Sequence, residues 1–395
     1  MIGQIKAPRL VEICRMKNVS DYAIFTLMLV SSLTIMVGTV IAPSLTGIVQ
    51  HLEFGYDPSW LITLPSLGVV LFAPFVGKML NRTGALKLLY FGLLPYGILG
   101  VMGAFITNDY LLMLDRFLLG GATVAVQVSI TSLIVGYFEN EARIKMIAWQ
   151  GMAIELGGVV FLSLGGVLGE WNWQSPFYIY LLAIICLVLA LRTLPEQREK
   201  ESVSSEEVHG DTKQSSFKVT VIFFGALSAM VLFFVGFVTL PLYLPRVFDF
   251  SESTTGYFMA FISVVAILTA SQMPKAVSKM GDGNTVSMGF LFFMLGYMVL
   301  YFFTSVPLLV LSAIFIGSGF GFTIPLLNHM MIEASSSKSM GKNLGLYSMG
   351  VFGGQFASTF ISLLGKGENS VFGIAFMLAL VISVVLYFIF KKNKA

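Results

Sequence analysis

Three ionisable residues interrupt stretches that are otherwise apolar. Asp115 and Arg116 lie within LLMLDRFLLGG, residues 111–121, and Glu155 lies within MAIELGGVVF, residues 152–161. A charge held at membrane depth is costly and marks function by default. A carboxyl that gains and loses an arginine partner between two protein states changes its proton affinity, so it can carry a proton. Glu155 is therefore expected as the primary proton carrier, with Arg116 modulating it and Asp115 as second candidate. The competing expectation is a static buried ion pair that fixes helix packing. As sequence neighbours, Asp115 and Arg116 stand about 100° apart on a helix and are expected to face different ways. At 1.5 Å per residue, Arg116 lies about 12 Å from one helix end and Glu155 about 14 Å from the opposite surface. The two depths nearly coincide, so Arg116 is expected to reach Glu155.

The elements that position these residues follow from composition. The chain has 395 residues, of which 56% are hydrophobic and only 11% charged, whereas a soluble domain carries about 25% charged residues. Apolar runs near the ~20 residues needed to cross a bilayer recur along almost the whole length. Twelve spans are predicted: 22–47, 58–80, 86–106, 108–136, 146–168, 174–194, 217–245, 254–275, 285–304, 306–332, 342–364 and 371–390. The expected class is an all-α polytopic membrane protein. Residues 1–21 carry Lys6, Arg9, Glu12, Arg15, Lys17 and Asp21, so no apolar leader core is visible. The first span should serve as an uncleaved insertion signal.

Basic residues set the orientation. With the N-terminus inside, Arg246 and Lys366 alone fall in outer loops, and every other Lys and Arg outside the spans falls on the inner side. That bias places both termini in the cytoplasm. Residues 195–216, PEQREKESVSSEEVHGDTKQSS, form the one long polar segment and read as a flexible linker with a solvated His209. The expected organisation is a tail at 1–21, a six-helix bundle at 22–194, the linker at 195–216, a second six-helix bundle at 217–390 and a tail at 391–395.

The two bundles read as copies of one unit. Leu111–Gly121 recurs as Leu308–Gly319, where Ser312 and Ala313 replace the charged pair. GKMLNRTG at 77–84 recurs as PKAVSKMG at 274–281, again 197 residues on. Gly157-Gly158 and Gly353-Gly354 give a third pairing, at 196. Copies of six spans share one orientation, so their symmetry axis lies along the membrane normal.

At this point the sequence resembles the major facilitator superfamily of transporters. The resemblance covers the whole chain and rests on the six-plus-six spans, the long middle loop, and the segment between spans two and three. There the family pattern is Gly-x-x-x-Asp-Arg-x-Gly followed by basic residues. Gly77, Arg82 and Gly84 match it, Lys87 follows, and Asn81 stands where the acid is usual. Arg116 with Gly120-Gly121 resembles the span-four motif of the drug/proton antiporter branch. Gly165-Gly166 followed by Trp171 and Trp173 resembles the end of its span-five motif, without the preceding Gly-Pro. The resemblance implies a major facilitator fold of 12 transmembrane helices in two pseudo-symmetric bundles. It also implies proton-coupled export of a small amphipathic molecule, a drug or a metabolite such as a metal chelator, by alternating access. A nutrient importer is the first alternative, and a non-transporting sensor the second.

Site expectations follow. Gly77 and Gly84 should bracket a tight inner turn, and Lys78, Asn81 and Arg82 should help latch one conformation, as the resemblance implies. Gln127, Asn328, His329, Tyr347 and Gln355 are the expected polar lining of a cavity between the halves, with Phe320 and Phe322 as an adaptable apolar wall. His329 and Glu333, one turn apart, form a candidate inner gate. The sequence holds no GxxxxGK[ST] run, no HExxH and no cysteine cluster, so neither a cofactor nor enzymatic activity is expected. The expected partners are a small-molecule substrate, protons and the lipid bilayer, with no nucleic acid. The expected state is a monomer in a bacterial inner membrane.

Overall fold

The computed structural model describes residues 19–195, 213–335, 339–365 and 367–392. Among them every regular element is helical. That is what lipid demands of an apolar chain, because an α-helix satisfies its own backbone. We number the long helices α1 Asp21–Thr39, α2 Ser59–Thr83, α3 Ala85–Met102, α4 Asp109–Tyr137, α5 Asn140–Trp171, α6 Leu182–Thr193, α7 Lys213–Phe248, α8 Glu252–Met280, α9 Asp282–Phe302, α10 Val306–Glu333, α11 Met340–Leu364 and α12 Glu368–Lys392. A 3-10 turn at Ala42–Ser44 and a short helix, Leu45–Leu52, extend α1. A short helix, Ser175–Tyr178, leads into α6.

Local chemistry sets several boundaries. The Ser20 hydroxyl accepts from the Ala23 amide at the start of α1, Asn108 accepts from Leu111 at the start of α4, and Ser251 accepts from Thr254 at the start of α8. Eleven helical stretches are long and apolar enough to cross a bilayer among the described residues. The helix α11 is not one of them. It has the length, but Asn343, Tyr347, Gln355, Ser358 and Thr359 all stand among its buried residues. Of the expected tails and linker, residues 1–18, 196–212 and 393–395 lie outside the described residues, as do His209, Lys338 and Lys366; α7 already begins at Lys213.

The duplication is visible in backbone geometry. Gly84 joins α2 to α3 with φ 78° and ψ 161°, and Gly281 joins α8 to α9 with φ 81° and ψ 163°. Both occupy a region that favours glycine, and their numbers differ by 197. A Cβ added to Gly120 would meet the Pro65 carbonyl oxygen at 2.0 Å, and one added to Gly317 would meet that of Ile262 at 2.6 Å. Both members of that α2–α4 contact recur 197 residues later in α8–α10. The third pairing sharpens to Gly157 with Gly354, which pack on α1 and α7 respectively.

The halves meet along α5–α8 and α2–α11. On the first pair, glycines bring backbones together: a Cβ on Gly166 would lie 2.4 Å from the Glu252 carbonyl oxygen, and one on Gly256 would lie 2.5 Å from that of Leu162. On the second pair, side chains join. The Ser66 hydroxyl donates to Gln355 Oε1 at 2.6 Å, Thr63 and Thr359 share a 2.5 Å bond, and Ser362 donates to Asp57 at 3.4 Å. Thr46 in the α1 extension donates to the Pro241 carbonyl of α7 at 2.9 Å. These contacts lie from the middle of the bundle to the end away from the chain termini, the far end. At the termini end these faces show no such contact among the described residues: a Cβ on Gly77, Gly151, Gly341, Gly345 or Gly353 would meet no described atom within 4 Å. Among the described residues, the molecule is closed at its far end and open at its termini end.

Candidate functional site

The charged pair of α4 forms a bond that the sequence reading excluded. Arg116 is fully buried and folds back on its neighbour: Nη2 lies 2.7 Å and Nε 3.0 Å from Asp115 Oδ2. The long arginine side chain cancels the 100° separation of the two Cα–Cβ vectors. The same Nη2 donates to the carbonyls of Leu99 and Gly100 at 3.1 and 3.3 Å. These are last-turn carbonyls of α3, where a cation is favoured. The guanidinium carbon sits 5.4 Å from the Phe177 ring centre and 5.7 Å from that of Tyr180. Arg116 thus ties α4 to α3 and to the start of α6. The expected reach to Glu155 is not made, because the guanidinium is held by Asp115 and by the last-turn carbonyls of α3.

Glu155 sits at the middle of α5. It shares a helix face with Leu162 and Gly166, seven and eleven residues on, and those two contact α8. That face closes on α8 toward the far end and opens toward the termini end, where Gly151, one turn before Glu155, meets nothing. Glu155 is half-buried and makes no hydrogen bond or ion pair among the described residues. Its electrostatic neighbour is Tyr347 of α11, in the second half. A carboxyl without a fixed partner, between the halves and on the open side, can exchange a proton with the solution on that side.

The remaining cavity candidates divide. Tyr347 is buried and donates to the Ile324 carbonyl of α10 at 2.8 Å. Gln127 is half-buried on α4, one turn before Thr131, which accepts from Gln150 of α5 at 3.1 Å. Gln355 is engaged with Ser66 in the seal between halves and is not a free lining group. Asn328 and His329 are exposed at the open mouth. His329 Nδ1 lies 3.6 Å from Glu333 Oε1, and both side chains are 59% exposed, so the expected inner gate is a solvated helix end in this conformation. Phe320 packs against Phe233 of α7 with centres 4.4 Å apart and ring planes tilted by 44°, next to a small apolar cavity lined by Phe233, Phe237, Met259 and Ile316. Phe322 faces the other way, onto Phe292 of α9. Two residues turn a helix by about 200°, so the pair cannot share a wall.

The span-two motif is helical almost throughout, where a loop was expected. Gly77, Lys78, Asn81 and Arg82 belong to the last turns of α2, and Gly84 alone makes the turn. Lys78, Asn81 and Arg82 are exposed, and Lys78 and Arg82 form no ion pair among the described residues.

Two features escaped the sequence reading. One is the row of hydroxyl and amide groups that joins α2 to α11. The other is Glu252, which reads as an acid in the first turn of a helix but packs between the halves. A small hydroxyl residue leaves no trace in hydropathy, and no local pattern reports a partner almost 300 residues away.

Together these features define a class: a helical membrane protein of two related halves, sealed at one end and open at the other, with a free carboxyl between them. The Major Facilitator Superfamily pattern matches residues 27–359, and the chain belongs to that family. The chain is 26% identical over 299 residues to the "Tetracycline resistance protein, class B" of Escherichia coli, covering 72% of this chain and 73% of that one. It is 21% identical over 257 residues to "Multidrug resistance protein 2" of Bacillus subtilis (strain 168), covering 61% and 62%. The crystal structure of a D-xylose-proton symporter superposes with a TM-score of 0.73 at 17% identity, covering 92% of this chain and 97% of that one; this likeness speaks for the fold alone.

Proposed function

We propose that the chain is a proton-coupled exporter of a small amphipathic molecule, working by alternating access in a bacterial inner membrane with both termini cytoplasmic. The observation that carries this reading is Glu155, a carboxyl without a fixed partner between the halves, open to the termini end. The efflux proteins among the relatives support the direction. In this reading the described conformation faces the cytoplasm. Substrate enters through the termini end and rests against the Phe233–Phe320 wall, with Tyr347 and Gln127 as polar contacts. The halves then rock, the far end opens, and Glu155 takes a proton from outside as the substrate leaves. Return of the halves carries that proton inward. The Asp115–Arg116 pair holds the first half rigid through this motion. Lys78, Asn81 and Arg82 come to face the second half only when the termini end closes.

Purified protein in liposomes with an imposed pH gradient tests the proposal. Accumulation of a fluorescent amphipathic probe against proton flow is expected, and Glu155→Gln abolishes it while leaving probe binding. Accumulation in the direction of proton flow establishes an importer instead. Full proton-coupled transport by Glu155→Gln removes Glu155 from the mechanism.

A further inference from the structure

Glu252 opens α8 in the second half, but its carboxyl lies among segments of the first. A Cβ placed on Gly47 of the α1 extension would come within 2.3 Å of Glu252 Oε1, and one placed on Gly169 of α5 would come within 2.1 Å of Oε2. The same point on Gly169 would be 1.7 Å from Ser44 Oγ, so Ser44 Oγ and Glu252 Oε2 crowd one slot. The Ser44 hydrogen is already committed, since its hydroxyl donates to the Gly165 carbonyl at 3.0 Å. That single hydrogen cannot serve Gly165 and Glu252 at once: while it serves Gly165, Ser44 turns a lone pair toward Glu252, and the Gly47 amide is the other polar group beside the carboxyl. Oε2 itself is sealed from solvent and has no hydrogen-bond partner among the described residues. Thr255, one turn further along α8, is fully buried with its own hydroxyl unpartnered.

An ionised carboxylate only accepts hydrogen bonds, whereas a protonated one also donates. Two acceptors cannot satisfy each other, and an orphaned buried acceptor carries the full cost of its desolvation. Among the described residues no cation relieves the slot. Glu170 of α5 faces it with the same sign and accepts from the Ser253 amide at 3.3 Å. Arg246, near the end of α7, is held by Glu368 at 3.0 Å. His51, in the α1 extension, stacks on Trp173. Glu53 and Asp249, which follow the α1 extension and α7, are further acids, and neither the first turn of α10 nor the last turn of α9 brings a charge of its own.

We propose that Glu252 is a second proton-binding site, set in the far-end seal, and that a proton bridging Glu252 Oε2 to Ser44 Oγ latches the two halves together there. When the far end opens, Glu252 leaves the glycine slot, meets the outer solution and loses that proton. The latch rests on the alternating-access part of the proposed function and is independent of the role of Glu155. It places one proton-dependent element in each half.

The test is a distance measurement, not a transport assay. Spin labels go on Tyr110→Cys and Val306→Cys, exposed sites at the far end of each half, in protein whose Cys14 and Cys186 are replaced. Pulsed electron resonance in lipid nanodiscs then follows the closed far-end population from pH 5 to 9. In the otherwise wild-type protein, the closed-to-open ratio falls as pH rises through the site, by up to about tenfold per pH unit. Glu252→Gln, which keeps a donor at every pH, holds the far end closed throughout. Ser44→Ala, which removes the acceptor, lowers the closed fraction at pH 5. Glu155→Gln removes the contribution of the carrier carboxyl; a pH response that persists in it and is lost on adding Glu252→Gln belongs to the latch, so failure of the proton-carrier reading is distinguishable from failure of this one. A closed population that does not change with pH in the labelled wild type overturns the latch without recourse to any variant. So does a Glu252→Gln protein with an unaltered pH response.

Discussion

Replacing Arg116 alone and together with Asp115 separates a structural pair from a coupling pair. In Arg116→Met the guanidinium is lost, and Asp115, 4% exposed, stays behind with neither of its arginine bonds. Leu99 and Gly100 lose a donor, and the rings of Phe177 and Tyr180 lose a cation. Removing one partner of a buried pair costs roughly 3–5 kcal/mol, and a desolvated cation–π contact alone contributes up to about 2 kcal/mol. The double variant Asp115→Leu/Arg116→Met has no buried charge. Well-packed apolar replacements of buried pairs are often neutral or better, so most of the loss should return. The expected coupling energy is therefore about 2–4 kcal/mol, measured as the non-additivity of the single and double variants in denaturant unfolding of purified protein. Proton-driven transport of the double variant in liposomes should stay within a few-fold of wild type, because the pair touches neither Glu155 nor the second half. An Arg116→Met protein as stable as wild type that has lost proton coupling would refute the reasoning. It would return Arg116 to the role its sequence position suggested.

The other predictions concern packing and the seal. Gly120→Ala forces a methyl to 2.0 Å from the Pro65 oxygen and should destabilise by at least the ~1–3 kcal/mol typical of overpacking; Gly353→Ala, with nothing within 4 Å, should leave the thermal midpoint of detergent-purified protein unchanged. Ser66→Ala removes a buried bond between the halves worth about 1 kcal/mol. It should raise the far-end-open to far-end-closed ratio roughly fivefold, read from the same far-end spin-label distances. Gln355→Ala should act in the same direction.

The sequence by itself determined the class, the duplication and the helices. Apolar runs of the right length have only one backbone solution in lipid, so hydropathy alone located nearly every helix. The period of 197 residues survived to the level of single glycine–carbonyl contacts, because a close backbone approach tolerates no substitution. Glu155 was legible as a lone acid in an apolar run. Tertiary structure decided which charges belong to the cavity. Arg116 is long enough to turn back on Asp115, a rotamer choice that helical periodicity does not encode. Whether Gln355 lines a cavity or seals an interface depends on Ser66, 289 residues away. Tertiary structure likewise turned Glu252 from a first-turn acid into a wedge between the halves, through Gly47 and Gly169, whose missing side chains make the slot it fills. Such contacts arise from the approach of separate helices, and that approach is decided by the packing of the whole bundle.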